Sequence, residues 1–468
     1  MKRNFCIAAI LFLCFATNLT AQTAKSSGDE VDDYILVQMQ RAKIPGLAVA
    51  VIRDGKVVKA RGYGLANLEH QISVKPETIF QSGSVGKQFT ATAVMMLVED
   101  GKISLDDKIT KYFKDAPEHW KEITVRHLLS HTAGTTDYPR DFDFRRDYTE
   151  DQLLAEAAKI SLAFQPGEKW MYSNLGYVML GILIGKVTGK FYGDFLQERI
   201  FKPLGMTSTR IINEADIIPN RAEGYRLVKG ELKHQQWVSP TLNTTADGSL
   251  YFNLPDLIKW DAALYTEKLL KKSSLDLMWT PIKQNNGTTN KGNYGFGWVI
   301  NNTNGHKVIE HGGAWQGFKS YIARYVDDKT TVILLANLAQ TNPEKLAHQV
   351  AGFYIPAVKP VEPKPIADTE PQVTAMFKEA LNKMIAGNFE RELLTAEMQK
   401  QWFPDRVTEV GELLKSFGNL KSVTLIERKQ EAENRFYRYK VAFNDTVLLI
   451  AMTFTKDNKI TAMQFAPE

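Results

Sequence analysis

The sequence predicts an α+β fold, and three observations lead there. The first regular elements read as a helix followed by an antiparallel hairpin, not as a βαβ unit. A block of four strand-like runs comes late, within residues 294–337, after a largely helical middle. Residues 369–468 then repeat the order on a smaller scale, helices first and an antiparallel meander after them.

Taken in order, the chain opens with Met1-Lys2-Arg3, and an uninterrupted apolar run covers 5–16. That run is too short to span a bilayer. Leu19-Thr20-Ala21 supplies small residues ahead of Gln22, so residues 1–21 read as a Sec-type signal peptide and the protein as exported, periplasmic or secreted. A lipoprotein site at Cys14 fits less well, because bulky Leu13 precedes it. Cys6 and Cys14 both fall in this segment, so the exported chain holds no cysteine and must rely on a large core instead of disulfides. The formal charge of +5 includes Lys2 and Arg3 and drops to about +3 without them. Basic residues are scattered among acids, which excludes the basic stripe that nucleic-acid binding needs. No later stretch reads as transmembrane.

Residues 29–41 form an amphipathic helix pattern. Residues 46–52 are apolar and β-branched, residues 56–62 follow, and Asp54-Gly55 between them is a hairpin turn signal. Then comes Ser84-Val85-Gly86-Lys87, the one S-x-x-K in the chain, at the start of a helix. Val85, Phe89, Ala93, Met96 and Leu97 fall at helical spacing, and Gly101 stands where a C-terminal cap belongs. Positions i and i+3 share a helix face, so hydroxyl and amine can meet. A helix-capping serine is the plain alternative. A capping box, however, wants Glu or Gln at the third helical position, and Lys87 instead sets its charge against the positive end of the helix dipole. That conflict eases if Lys87 is buried and neutral, and a neutral amine beside a hydroxyl is a nucleophile with its base.

His127 and His131, in Arg126-His127-Leu128-Leu129-Ser130-His131-Thr132, read as structural: the first in a short apolar turn, the second in a polar loop where a ring nitrogen bonds backbone. No H-E-x-x-H or similar spacing occurs, so neither metal nor cofactor is expected. Residues 151–163 and 175–200 read as helices. Tyr172-Ser173-Asn174 lies between them, with Asn174 placed to cap the second helix. A tyrosine oxygen near a lysine amine can move a proton. The second Y-x-N, Tyr251-Phe252-Asn253, looks like an ordinary helix start ahead of Pro255 and is set aside. Strand-like runs at 294–300, 306–311, 318–326 and 330–337 follow, with a turn at Asp327-Asp328. His311-Gly312-Gly313-Ala314 falls at a strand end, where paired glycines let a substrate approach the backbone or mark a bulge.

Together, Ser84-x-x-Lys87, Tyr172-x-Asn174 and His311-Gly312-Gly313 stand in the order and rough spacing of the serine β-lactamase and penicillin-binding-protein superfamily. Over about residues 30–355 the chain resembles the class C β-lactamase-like branch, which includes esterases and D-amino-acid peptidases. The runs 127–132 and Phe201-Lys202-Pro203-Leu204-Gly205-Met206 agree. The resemblance implies an antiparallel sheet flanked by helices plus a helical subdomain, with the site between them. It implies that Ser84 forms an acyl-enzyme, that Lys87 and Tyr172 shuttle its proton, that Asn174 bonds the substrate or Lys87, and that His311 meets the substrate. It further implies an oxyanion hole at the Gly313-Ala314 strand, from the N–H groups of Ser84 and Ala314. Relatives that destroy β-lactams usually carry Lys-Thr-Gly where this chain has His311-Gly312-Gly313. A neutral histidine and a glycine grip a carboxylate less well, which favours esters, amides or D-amino-acid peptides, including cell-wall peptides, over β-lactams. No G-x-S-x-G is present, which argues against the α/β-hydrolase alternative. A second class of function on the same scaffold is a penicillin-binding or peptide-sensing protein that does not turn over.

The expected domains are 28–357 for the hydrolase-like part, a Pro-rich linker at 358–368, and a small α+β domain at 369–468. In the last, helices at 373–386, 389–403 and 407–417 precede strands at 420–428, 435–443, 447–455 and 459–465. Its shape is similar to cystatin-like or NTF2-like sheets, and no catalytic cluster stands out in it.

Overall fold

The computed structural model describes residues 29–139, 141–361, 363–431, 433–444 and 446–467. The expected signal peptide and both cysteines lie outside the described residues.

The architecture is α+β. Seven strands build the main sheet: β1 (Gly46–Arg53), β2 (Lys56–Asn67), β3 (Ile72–Ser73), β4 (Val299–Thr303), β5 (His306–Trp315), β6 (Phe318–Tyr325) and β7 (Thr330–Ala336). Their spatial order is β3-β2-β1-β7-β6-β5-β4, all neighbours antiparallel. Both termini of this region therefore contribute strands to one sheet, with the helical middle of the chain inserted between them. Asp54 and Gly55 turn β1 into β2 with positive φ, as the hairpin signal requires. β1 is buried on both faces, and its period of two sorts the side chains. Ala48, Ala50 and Ile52 enter the core beneath the helical subdomain. Leu47, Val49 and Val51 enter a second core. That second core is closed by the helices Glu30–Ala42 and Pro343–Tyr354.

The helix Lys87–Glu99 is buried along nearly its whole length and packs between the sheet and the helix Asn174–Thr188. Four expected elements of this region differ, and the helix expected at 151–163 is the first, since it runs Glu150–Ala158 and ends there. The run 175–200 is not one helix: Gly189 adopts a left-handed conformation and closes Asn174–Thr188, and a new helix begins at Tyr192. The strand expected at 294–300 begins only at Val299, since Tyr294 makes an isolated bridge. The glycine pair does not sit at a strand end or in a bulge. Gly312 and Gly313 lie inside β5, in unbroken register with Tyr321 and Ser320 of β6.

Residues 371–467 build a separate core of their own. The helices Pro371–Ala386, Ala396–Trp402 and Asp405–Ser416 cover a meander of four strands, Ser422–Glu431, Asn434–Ala442, Val447–Phe454 and Ile460–Pro467, in that order. The expected helix 389–403 shrinks to Ala396–Trp402, because Thr395 caps it through Met398 N and Leu394 is drawn into a bridge with Ile460. Among the described residues, no helix is long and apolar enough to cross a membrane.

Candidate active site

Ser84 sits in a single 3-10 turn, Gly83–Gly86, that leads directly into the helix beginning at Lys87. The turn is clamped from both sides. Ser82 Oγ donates to Gly248 O at 2.6 Å and accepts from Leu250 N, while Ser320 Oγ of β6 donates to Ser82 O at 2.5 Å. Backbone meets backbone so closely that side chains are excluded. A Cβ on Gly83 would lie 2.3 Å from Ala314 N, one on Gly248 2.4 Å from Gly83 O, and one on Gly313 2.1 Å from Ser82 O and 3.0 Å from Ser84 N. Gly313 thus serves the approach of the nucleophile's own turn to β5, and it sets the amide nitrogens of Ser84 and Ala314 at one junction.

Lys87 is fully buried, with 0% exposure. Its Nζ donates to Ser84 Oγ at 3.0 Å, to Asn174 Oδ1 at 2.7 Å and to the carbonyl of Asp247 at 2.5 Å, which gives one acceptor for each N–H of an ammonium. The group also lies 5.0 Å from the ring centre of Tyr172 and 5.5 Å from that of Tyr177. Asn174 does not cap its helix as expected. Ser173 does so through Gly176 N, which leaves the Asn174 amide free to bridge Lys87 and Asp137. Asp137 accepts from Asn174 N at 2.5 Å and from Asn174 Nδ2 at 3.1 Å.

Tyr172 is placed by its ring. The His131 ring lies 4.1 Å away, centre to centre, and its Nδ1 accepts from Ser173 N at 3.2 Å. The Tyr172 hydroxyl is buried and has no hydrogen-bond partner among the described residues. His131 bonds backbone, as the sequence implies, and also serves as a wall behind Tyr172. Burial, seconded by Lys87, holds its pKa well below the usual histidine value. His127 is structural as expected: its Nδ1 accepts from Thr124 N in a capping box.

His311 does not line the cleft. Its ring is buried; Nδ1 donates to Gly312 O at 2.7 Å, so in the neutral ring Nε2 accepts from the Tyr294 hydroxyl at 2.9 Å. Burial first, and then the Lys87 charge, push its pKa down to about 4. This strand position therefore offers no cation to the cleft.

In front of Ser84 opens a cleft of about 270 Å³, lined by Ser84, Asn174 and Ala314 together with the aromatic side chains of Tyr138, Phe144 and Trp315. Asp137 and Asp247 also line it. Sequence reading missed both. Neither falls in a motif: Asp137 follows Thr135-Thr136, and Asp247 lies before Gly248 in a loop more than 100 residues downstream of it. The fold gathers Ser84, Asn174 and the Tyr172 ring around the Lys87 amine, with Gly313 and Ala314 against the serine turn; of these, Ser84, Asn174 and Ala314 line the cleft.

Comparison with known proteins finds relatives of the sequence and of the fold. The family model described as Beta-lactamase matches residues 31–353. Penicillin-binding protein 4* of Bacillus subtilis (strain 168) is 32% identical over 310 residues, which cover 62% of this chain and 67% of that protein. Among solved structures, an octameric penicillin-binding protein homologue from Pyrococcus abyssi superposes with a TM-score of 0.64. It is 24% identical and covers 93% of this chain and 98% of its own, a likeness of fold. The D-amino acid amidase of Ochrobactrum anthropi SV3, solved with L-phenylalanine amide, is 25% identical with a TM-score of 0.58, over 66% of this chain and 92% of its own.

Proposed function

The chain belongs to the Beta-lactamase family, and on that premise we propose that it is an exported serine hydrolase acting through an acyl-enzyme on Ser84. One observation carries the reading: Ser84 Oγ lies 3.0 Å from the Nζ of a fully buried lysine, at the mouth of a cleft. Nucleophile and base are thus already within hydrogen-bond reach.

In the proposed cycle, Ser84 Oγ attacks a carbonyl carbon in the cleft while Lys87 and Tyr172 move its proton. The N–H groups of Ser84 and Ala314 stabilise the oxyanion, and removal of one such donor typically costs about 10²–10³ in rate. Tyr172 relays the proton to the leaving group and then helps activate water against the acyl-enzyme. Asn174 keeps Lys87 aimed at Ser84 and offers its amide to the substrate. The inward-turned, neutral His311 supports esters, amides or D-amino-acid peptides over anionic β-lactams. The amidase neighbour acts on D-amino acid amides by its name, which fits an amide substrate here.

Turnover of a p-nitrophenyl ester, an aminoacyl p-nitroanilide and a chromogenic cephalosporin by the exported form tests the reading. The expected order is ester and anilide ahead of the lactam, with Ser84→Ala inactive. Stoichiometric labelling with no turnover of any substrate would place the protein among the non-hydrolysing binders instead.

A further inference from the structure

The charge around Ser84 points to a substrate class, an argument that rests on the hydrolase reading above. The charged side chains lining the cleft are both carboxylates, Asp137 and Asp247. The nearby cation, Lys87, already directs its N–H bonds at Ser84, Asn174 and Asp247 O. Asp137 accepts one hydrogen bond on each carboxylate oxygen, from Asn174 N and Asn174 Nδ2, so lone pairs remain on both. Asp247 is the more telling group. Its Oδ1 is sealed from solvent and has no hydrogen-bond partner among the described residues. Burial raises its pKa, the Lys87 charge and a hydrogen bond with Thr245 oppose that shift, and the charge of Asp137 adds a smaller upward push. A buried carboxylate oxygen with no donor is a cost that a bound donor removes. The same cleft is lined by the largely apolar side chains of Tyr138, Phe144, Leu242 and Trp315, the last held by a bond from its Nε1 to Asn243 Oδ1.

We propose that Asp137 and Asp247 form an ammonium subsite beside Ser84, and that the protein selects esters or amides whose acyl group carries a protonated amine near the scissile carbonyl and an apolar side chain. An α-ammonium lies one carbon from that carbonyl. It brings three N–H donors to a place where two carboxylates face the cleft, and it supplies the partner that Asp247 Oδ1 lacks. A substrate carboxylate at the same point meets like charge in a partly desolvated site and is rejected.

Binding to the Ser84→Ala protein tests this without turnover. Titration calorimetry with D- and L-phenylalaninamide, their N-acetyl derivatives and 3-phenylpropionate should show the free amine binding at least about tenfold tighter than its acetylated form, and the anion weakest. In wild type, kcat/KM for phenylalanine p-nitroanilide against its N-acetyl form should show the same preference. Asp247→Asn and Asp137→Asn, each added to Ser84→Ala, should reduce the preference to within about threefold. The ratio separates lost charge recognition from a general loss of site integrity, which lowers both ligands together, and the comparison of ligands on Ser84→Ala alone decides the matter if a carboxylate variant fails to fold. Equal binding of amine and acetamide, or a preference that survives both substitutions, overturns the proposal. Amine preference without hydrolysis by the wild type would remove the hydrolase reading and leave the subsite; hydrolysis without amine preference would remove the subsite alone.

Discussion

Gly313→Ala should disable the protein far more than Gly312→Ala, although the two changes are chemically identical and adjacent. At Gly313 the added methyl would stand 2.1 Å from Ser82 O, 2.4 Å from Ser320 Oγ and 3.0 Å from Ser84 N. Carbon needs about 3.5 Å from such neighbours, so the Ser82 carbonyl must retreat by about 1.4 Å. Nothing flexible absorbs that movement, because Ser82 O is backbone held by Ser320 Oγ and Ser82 Oγ is tied to Gly248 O. Overpacking of this kind costs about 1–3 kcal/mol, and a displacement of about 1 Å in the nucleophile's turn costs about 10²-fold in rate. At Gly312 the methyl points to the other face of the sheet and meets Tyr321 ring atoms at 3.1 and 3.2 Å. The ring needs to give only a few tenths of an ångström, so the loss should stay below about tenfold and about 1 kcal/mol. Ester kcat/KM and urea unfolding of both variants measure the contrast. A Gly313→Ala enzyme within threefold of wild type, or equal damage at the two sites, would refute the clamp and with it the assignment of the Ser84 and Ala314 amides to one oxyanion hole.

Three further expectations follow from the same contacts. Lys87→Met removes the base and leaves Asn174 Oδ1 and Asp247 O without their donor; kcat should fall by about 10²–10⁴ at neutral pH, and a loss under tenfold would mean that Lys87 is structural. His311 is held near a pKa of about 4 and His131 also below its usual value, so both stay neutral in the fold while the unfolded chain binds protons below the ordinary histidine pKa. Stability should therefore be unaffected by them above about pH 6.5 and fall as pH drops toward about 4, by up to about 1.4 kcal/mol per pH unit for each histidine; His311→Asn should flatten the slope in urea titrations, and an unchanged slope would contradict the shift. Removal of residues 361–468 should leave a soluble protein with its activity retained, because their core is separate while Val358 is packed in the core of the first region; insolubility of that fragment would show a shared core.

Much of this was legible in local sequence. Period-two strands, the Asp54-Gly55 turn and the i, i+3 pairing of Ser84 with Lys87 need no distant information, and the fold bears them out. What stayed hidden depends on partners far along the chain. Both Ser173 and Asn174 are good helix caps; the choice falls to Ser173 because Lys87, 87 positions earlier, takes the Asn174 amide. His311 looks like a substrate contact until Tyr294 draws its ring inward. The glycines beside it look like room for a substrate until the Ser84 turn is seen to fill the space over Gly313. Asp137 and Asp247 carry no periodicity or motif, since each is a loop residue whose meaning comes only from the cleft that it shares.

The most direct test of the account is the intact mass of the protein and its Ser84→Ala variant after treatment with a fluorophosphonate, followed by peptide mapping. The account predicts one adduct, on the peptide that contains Ser84, absent from the variant. An adduct that persists in Ser84→Ala, or one that maps to another residue, would contradict the assignment of Ser84 as the nucleophile.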